Sequence, residues 1–157
     1  LSFTAEEAFG WLTGNHEDSV FLHTWHEIPT VADAEVLQTR WNTLREVRSS
    51  VQKAIEEVRV SGAIGSSLQA EISITAPADV AAVLQALGED LRFVMITSAA
   101  SVQVGDSLQV SVVPSTHEKC ERCWHYRADV NSHAEHTGLC GRCVSNLHGE
   151  GESRQHA

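Results

Sequence analysis

Lys119-Cys120-Glu121-Arg122-Cys123-Trp124-His125-Tyr126 and, further on, Leu139-Cys140-Gly141-Arg142-Cys143-Val144 decide how this chain is read. They hold all 4 cysteines of the 157 residues, spaced C-x2-C-x16-C-x2-C. Each C-x2-C pair lets a tight turn aim two thiolates at one point, and the intervening loop brings in the second pair. Four thiolates at about 2.3 Å suit tetrahedral Zn²⁺ and leave no position for water, so the expected centre is structural. Two disulfides would need an oxidising compartment, and nothing in the sequence suggests secretion. A thioredoxin-like redox site would need one pair after a strand, and an iron–sulfur cluster fits the paired spacing less well. The expectation is one structural zinc on Cys120, Cys123, Cys140 and Cys143, within a four-cysteine zinc ribbon over residues 117–157. That segment has few large apolar residues of its own, so metal binding, commonly about 10–16 kcal/mol in such modules, should hold it together.

Four thiolates and one Zn²⁺ carry a formal charge of −2. Lys119, Arg122 and Arg142 beside the ligands offset it, or contact phosphate, and the two roles are compatible. Trp124-His125-Tyr126 follows the first pair directly. With Arg122 and Arg127 alongside, these aromatics could stack on unpaired bases; Trp124 serves equally as the core of the ribbon. His117, His125, His133 and His136 lie near the cysteines, but four thiolates already saturate a zinc. They are expected to be exposed or hydrogen-bonded.

Upstream, Thr4-Ala5-Glu6-Glu7 reads as a capping box opening a short helix that Gly14 ends. Residues 14–30 read as a loop with an apolar patch at Val20-Phe21-Leu22, and Thr30-Val31-Ala32-Asp33 as a second helix start. Leu37, Trp41, Leu44, Val51, Ile55 and Val58 follow at alternating spacings of four and three, which predicts a long helix stopped at Ser61-Gly62. Arg48 occupies the missing slot in that seam. It either snorkels or is paired within its own bundle, or marks where the bundle face meets a partner.

The period then changes. Leu68 to Thr75 alternates as a half-buried strand, Pro77 opens a helix with Val80, Val83, Leu84 and Leu87 inward, and Gly88 ends it. Leu91–Ile96 reads as a buried strand, and 102–104 with 108–113 as a hairpin turning at Gly105-Asp106. The expected order is βαβββ, a small α+β domain. The fold class is thus a multi-part chain, α then α+β then zinc ribbon, in segments 1–60, 61–116 and 117–157.

The net charge of −10 argues at first against a nucleic-acid partner. Its distribution weakens that argument. Residues 1–35 hold seven acids and no Lys or Arg, whereas 40–59 sum to +2 and 117–157 to −1. Bases therefore cluster on the long helix and the Cys-rich tail. No apolar run is long enough for a membrane span, and Leu1–Glu7 has no leader-like basic or apolar region. The chain is expected to be a piece of something longer. P-loop, dinucleotide and nucleophile-elbow motifs are absent, and no catalytic residue is assigned.

Three stretches resemble the C-terminal end of the bacterial isoleucyl-tRNA synthetases, a class I aminoacyl-tRNA synthetase family. They are Phe3–Glu7 with Ser19–Trp25 and Ile28-Pro29; Trp41–Arg48 running to Arg59, with Ile64-Gly65-Ser66-Ser67-Leu68-Gln69-Ala70; and the cysteine-bearing stretches quoted first. In order they cover nearly the whole chain. The resemblance implies that 1–60 is the end of a helical anticodon-binding domain. It also implies that the whole enzyme, a cytoplasmic monomer, charges tRNA(Ile) with isoleucine using ATP. The family's His-x-Gly-His and Lys-Met-Ser-Lys signatures are absent from this stretch, so ATP binding and activation belong elsewhere in the enzyme. The zinc ligands carry over residue by residue. Contacts to tRNA are expected at Arg122, Trp124, Tyr126 and Arg142. Two other readings remain: the zinc-finger DNA grip of a formamidopyrimidine-DNA glycosylase, which rests on the tail alone and whose N-terminal Pro-Glu nucleophile is absent, and a standalone zinc-ribbon interaction module without nucleic acid, which the acidity favours.

Overall fold

The computed structural model describes residues 1–152, which fall into two compact units, Leu1–Ala34 and Glu35 onward. In the first, helix α1 (Ser2–Thr13) ends at Gly14 in the left-handed conformation, φ 68°. The expected capping box does not form. The helix starts two residues upstream of Thr4, leaving Thr4 inside the first turn without a capping bond. Glu6 instead accepts hydrogen bonds from Ser19 Oγ at 3.1 Å and Val20 N–H at 3.0 Å, pinning a 3-10 turn at Val20–Leu22. Phe9 packs on His23, with ring centres 5.0 Å apart. Trp11 is 74% exposed and Trp25 98% exposed, so the unit leaves much aromatic surface uncovered.

The second unit opens with α2 (Ala34–Val60), 27 residues long. Asp33, not Thr30, directly precedes it, in left-handed backbone at φ 57°. The seam is real but narrower and in a slightly different phase than expected. Leu44, Val47, Val51 and Ile55 are buried, whereas Leu37 and Trp41 at the first turns remain exposed. Strand β1 (Ala70–Ala76) follows with Ala70, Ile72, Ile74 and Ala76 buried in strict alternation. Next come α3 (Ala78–Gln85), α4 (Leu91–Met95), β2 (Ala99–Val104) and β3 (Gln109–Pro114).

Two expectations fail here. Leu91–Met95 is a helix, not a strand: Leu91 and Met95, four apart, both enter the core, which is helical spacing. Ile96 ends it in the left-handed region at φ 59°. The hairpin at Gly105-Asp106 is also absent. The sheet order is β2-β1-β3, with β1 parallel to β2 and antiparallel to β3. The chain therefore runs βααββ, not βαβββ, on three strands. Gly105 serves a different purpose: its N–H donates to the Ala76 carbonyl at 2.9 Å as the chain passes the end of β1. A Cβ at Gly105 would meet Thr75 Cγ2 at 2.4 Å.

The buried residues of α2 form one core with Ile64, Ile72, Ile74, Leu84, Leu91 and Met95. The long helix, placed at the end of the first segment from its periodicity, thus packs with the residues after position 60. The tail adds the short antiparallel pair β4 (Glu118–Lys119) and β5 (Tyr126–Arg127), then α5 (Gly141–His148). No helix among the described residues is long and apolar enough to cross a membrane.

Candidate metal centre

The two ends of the β4–β5 pair set the first knuckle. Cys120 N–H donates to the His125 carbonyl and Trp124 N–H to the Cys120 carbonyl, each at 2.9 Å. Trp124 closes the turn in left-handed backbone at φ 67°. The second pair sits where a helix begins. Cys140 directly precedes α5, Cys143 lies in its first turn, and Asp129 Oδ2 accepts from Gly141 N–H at 2.9 Å to satisfy a free helix donor. Glu121 N–H reaches the Gly138 carbonyl at 2.9 Å, tying the two knuckles together. Gly138 has φ 79°, and a Cβ there would press on the Glu121 carboxyl at 2.8 Å.

These constraints bring the Sγ atoms of Cys120, Cys123, Cys140 and Cys143 within 4.8 Å of one another. Cys123 Sγ and Cys140 Sγ are 3.7 Å apart. A tetrahedron with metal–sulfur distances of about 2.3 Å has edges of about 3.8 Å, so the four thiols fit one zinc. None is in a disulfide, and Cys120, Cys140 and Cys143 are fully buried. The surroundings already favour a thiolate. Burial raises the pKa of Cys120, but hydrogen bonds from the backbone around Cys123, Cys140 and Arg122 outweigh it and bring it to about 6. Burial dominates at Cys123 and Cys140 and pushes both thiols up. Cys140 N–H lies 3.4 Å from Cys120 Sγ, and Arg122 Nη1 lies 3.7 Å from Cys143 Sγ. With no site left for water or substrate, such a centre holds structure rather than performing chemistry.

The other expected residues separate. Arg122 is exposed, with one guanidinium nitrogen turned to the thiol of Cys143. Trp124 is 59% exposed, so it is no core residue; Lys119 Nζ stands 5.3 Å over its ring. Tyr126 is half-buried. Arg142 donates to Glu152 at 2.7 Å and lies 4.8 Å over the Phe93 ring, so its charge is held inside the protein. His125 is buried with Nδ1 3.1 Å from the Cys123 carbonyl, and its ring meets Phe93 edge-on. Desolvation lowers its pKa and keeps it neutral, as a packing residue. His136 and His148 stack at 3.9 Å.

Sequence reasoning missed the seat of this module. Buried Ser98 accepts from Tyr126 N–H at 2.6 Å, donates to the Leu68 carbonyl, and offers its own carbonyl to Arg127 Nη1 at 3.4 Å. Phe93 meets His125 and carries the guanidinium carbons of Arg92, at 4.5 Å, and Arg142. No motif in the sequence announces Ser98 or Phe93.

Residues 118–146 match the family described as zinc finger found in FPG and IleRS. Isoleucine–tRNA ligases from several bacteria align with the whole chain. The sequence from Thiobacillus denitrificans is 55% identical over 157 residues, that from Cupriavidus pinatubonensis 57% over 164, and that from Chromobacterium violaceum 50% over 159. The chain spans 17% of the length of each of these relatives. Along its entire length, then, this chain is homologous to the bacterial isoleucine–tRNA ligases, and its four-cysteine centre is a zinc finger of the kind found in them.

Proposed function

We propose that the chain is the zinc-bearing C-terminal, tRNA-engaging part of a cytoplasmic, monomeric isoleucine–tRNA ligase. The whole enzyme would join isoleucine to tRNA(Ile) at the expense of ATP, and the reacting groups would lie outside this stretch. The observation that carries this reading is the identity of 50% or more along the full chain to proteins named for that reaction. The glycosylase reading draws only on residues 118–146, and nothing in the other segments favours it.

In this role the knuckle around Cys120–Trp124 presents two groups outward. Arg122 can pair with a phosphate, and the Trp124 face can take an unpaired base of the anticodon arm. Tyr126 and Arg142 lie deeper and would contribute by orientation and field. Zinc, held by Cys120, Cys123, Cys140 and Cys143, would cross-link the two cysteine pairs and keep this knuckle in shape.

The test is a salt titration of binding to tRNA(Ile) and to duplex DNA of equal charge. The expected result is preference for the tRNA, with loss of binding after zinc is stripped by a chelator. Equal or tighter binding to DNA would support the glycosylase reading, and binding to neither at low salt would support a protein-interaction module. Arg122→Gln should lower tRNA affinity and reduce the salt slope by about one unit.

A further inference from the structure

A groove of about 380 Å³ runs between α2 and α4, with no cysteine in its lining, bounded by Trp41, Leu44, Arg45, Arg48, Phe93 and Val94. Its volume falls in the range of small-ligand sites, roughly 300–1,000 Å³. Its charges are unbalanced. The arginine ion pairs of the described residues are Arg59–Glu56, Arg92–Glu89, Arg127 with Glu89 and Asp129, and Arg142–Glu152. Arg45 and Arg48 enter none of them. Arg45 makes one long hydrogen bond, 3.4 Å, to Asn42. Arg48 Nε is buried with no partner at all. A buried guanidinium N–H left unpaired costs free energy, and an arriving acceptor would remove that cost. Beside it Trp41, an aromatic in the apolar seam, keeps 39% of its surface open.

We propose that this groove seats one unpaired RNA nucleotide, with its phosphate on Arg45 and Arg48 and its base against Trp41. The assignment rests on the tRNA reading above and adds a second contact point to it. A nucleotide supplies both things the groove lacks: an anion with several acceptor oxygens and a flat face. An extended peptide is a poorer match, because both walls are helices and offer no strand edge to pair with its backbone. Phe93 is part of the lining. Its ring is engaged by Arg92, Arg142 and His125, which leaves Trp41 as the open stacking surface and places Arg142, from the zinc module, at the border of the groove.

The experiment measures binding of the zinc-loaded protein to tRNA(Ile) across salt concentrations, with zinc content and circular dichroism as fold controls. Arg48→Gln together with Arg45→Gln should weaken binding about tenfold or more and lower the salt slope. Trp41→Ala should weaken it, with Trp41→Phe restoring most of the loss. Arg40→Gln, an exposed base on the same helix outside the groove, should change little. Photocrosslinking of 4-thiouridine-substituted tRNA to the wild-type protein should label the peptides holding Trp41 or Phe93, and this decides the matter if a variant fails to fold. Wild-type affinity in the groove variants, with crosslinks confined to the zinc module, overturns the groove while the tRNA reading stands. A wild-type protein that binds no tRNA overturns both.

Discussion

Single residues divide by how much of their role is local. The four cysteines needed only their spacing, because a C-x2-C turn commits both thiols to one point whatever surrounds it. Their titration is set by surroundings. Cys120 is held at about 6, whereas burial pushes Cys123 and Cys140 up. Zinc requires the deprotonated sulfurs, so protons compete with it. Zinc release on acidification from about pH 8 to about pH 5, followed with a metallochromic dye, should therefore be progressive and fully reversed on returning to neutral pH. Zinc content that does not change with pH over this range would show that thiol protonation does not control release. Trp124 illustrates the opposite case. Its sequence position is equally suitable for core or surface, and its 59% exposure follows from the left-handed turn that swings it out.

At the scale of elements, periodicity was informative in proportion to length. The 27-residue α2 and the alternating β1 were both legible. Leu91–Ile96 was not, because a short apolar run fits a strand or a buried helical turn equally well. The hairpin was misread for a topological reason. The links at 105–108 suit a tight turn, but β1 carries the most buried alternation and takes the centre of the sheet, so β2 and β3 occupy its two edges. Crossing between edges spans about 10 Å, two interstrand spacings, which a four-residue link covers. Because β1 is central, Ile74→Ala should cost about 2–5 kcal/mol, read from urea unfolding with an unchanged slope. A cost below about 1 kcal/mol would mean that this strand is not the middle of the core.

For the whole molecule, the zinc module is set on the α+β core of the same unit chiefly through Ser98 and Phe93. Ser98→Ala would leave the half-buried Leu68 carbonyl and the Tyr126 N–H without that partner, a loss of about 1–3 kcal/mol. Zinc should stay bound, since no ligand is touched, while amide exchange at Tyr126 should accelerate. Simultaneous loss of zinc would show that the seat and the metal site are one cooperative unit. The uncovered aromatics of residues 1–34, Trp11 and Trp25 foremost, are large apolar side chains left open to solvent within that unit.

By itself the sequence determined the metal centre, the long helix, the first alternating strand and the likeness to a synthetase family. All of these are written in local spacing or local identity. Tertiary structure alone decided the strand order, the helical state of Leu91–Met95, the seat of the zinc module and the unpaired state of Arg48. Each of these depends on which residues from distant parts of the chain come to face one another. Arg48 shows the boundary most clearly. Its place in the seam is visible in the sequence, but only the packing of α2 against α4 shows that its Nε is buried without a hydrogen-bond partner.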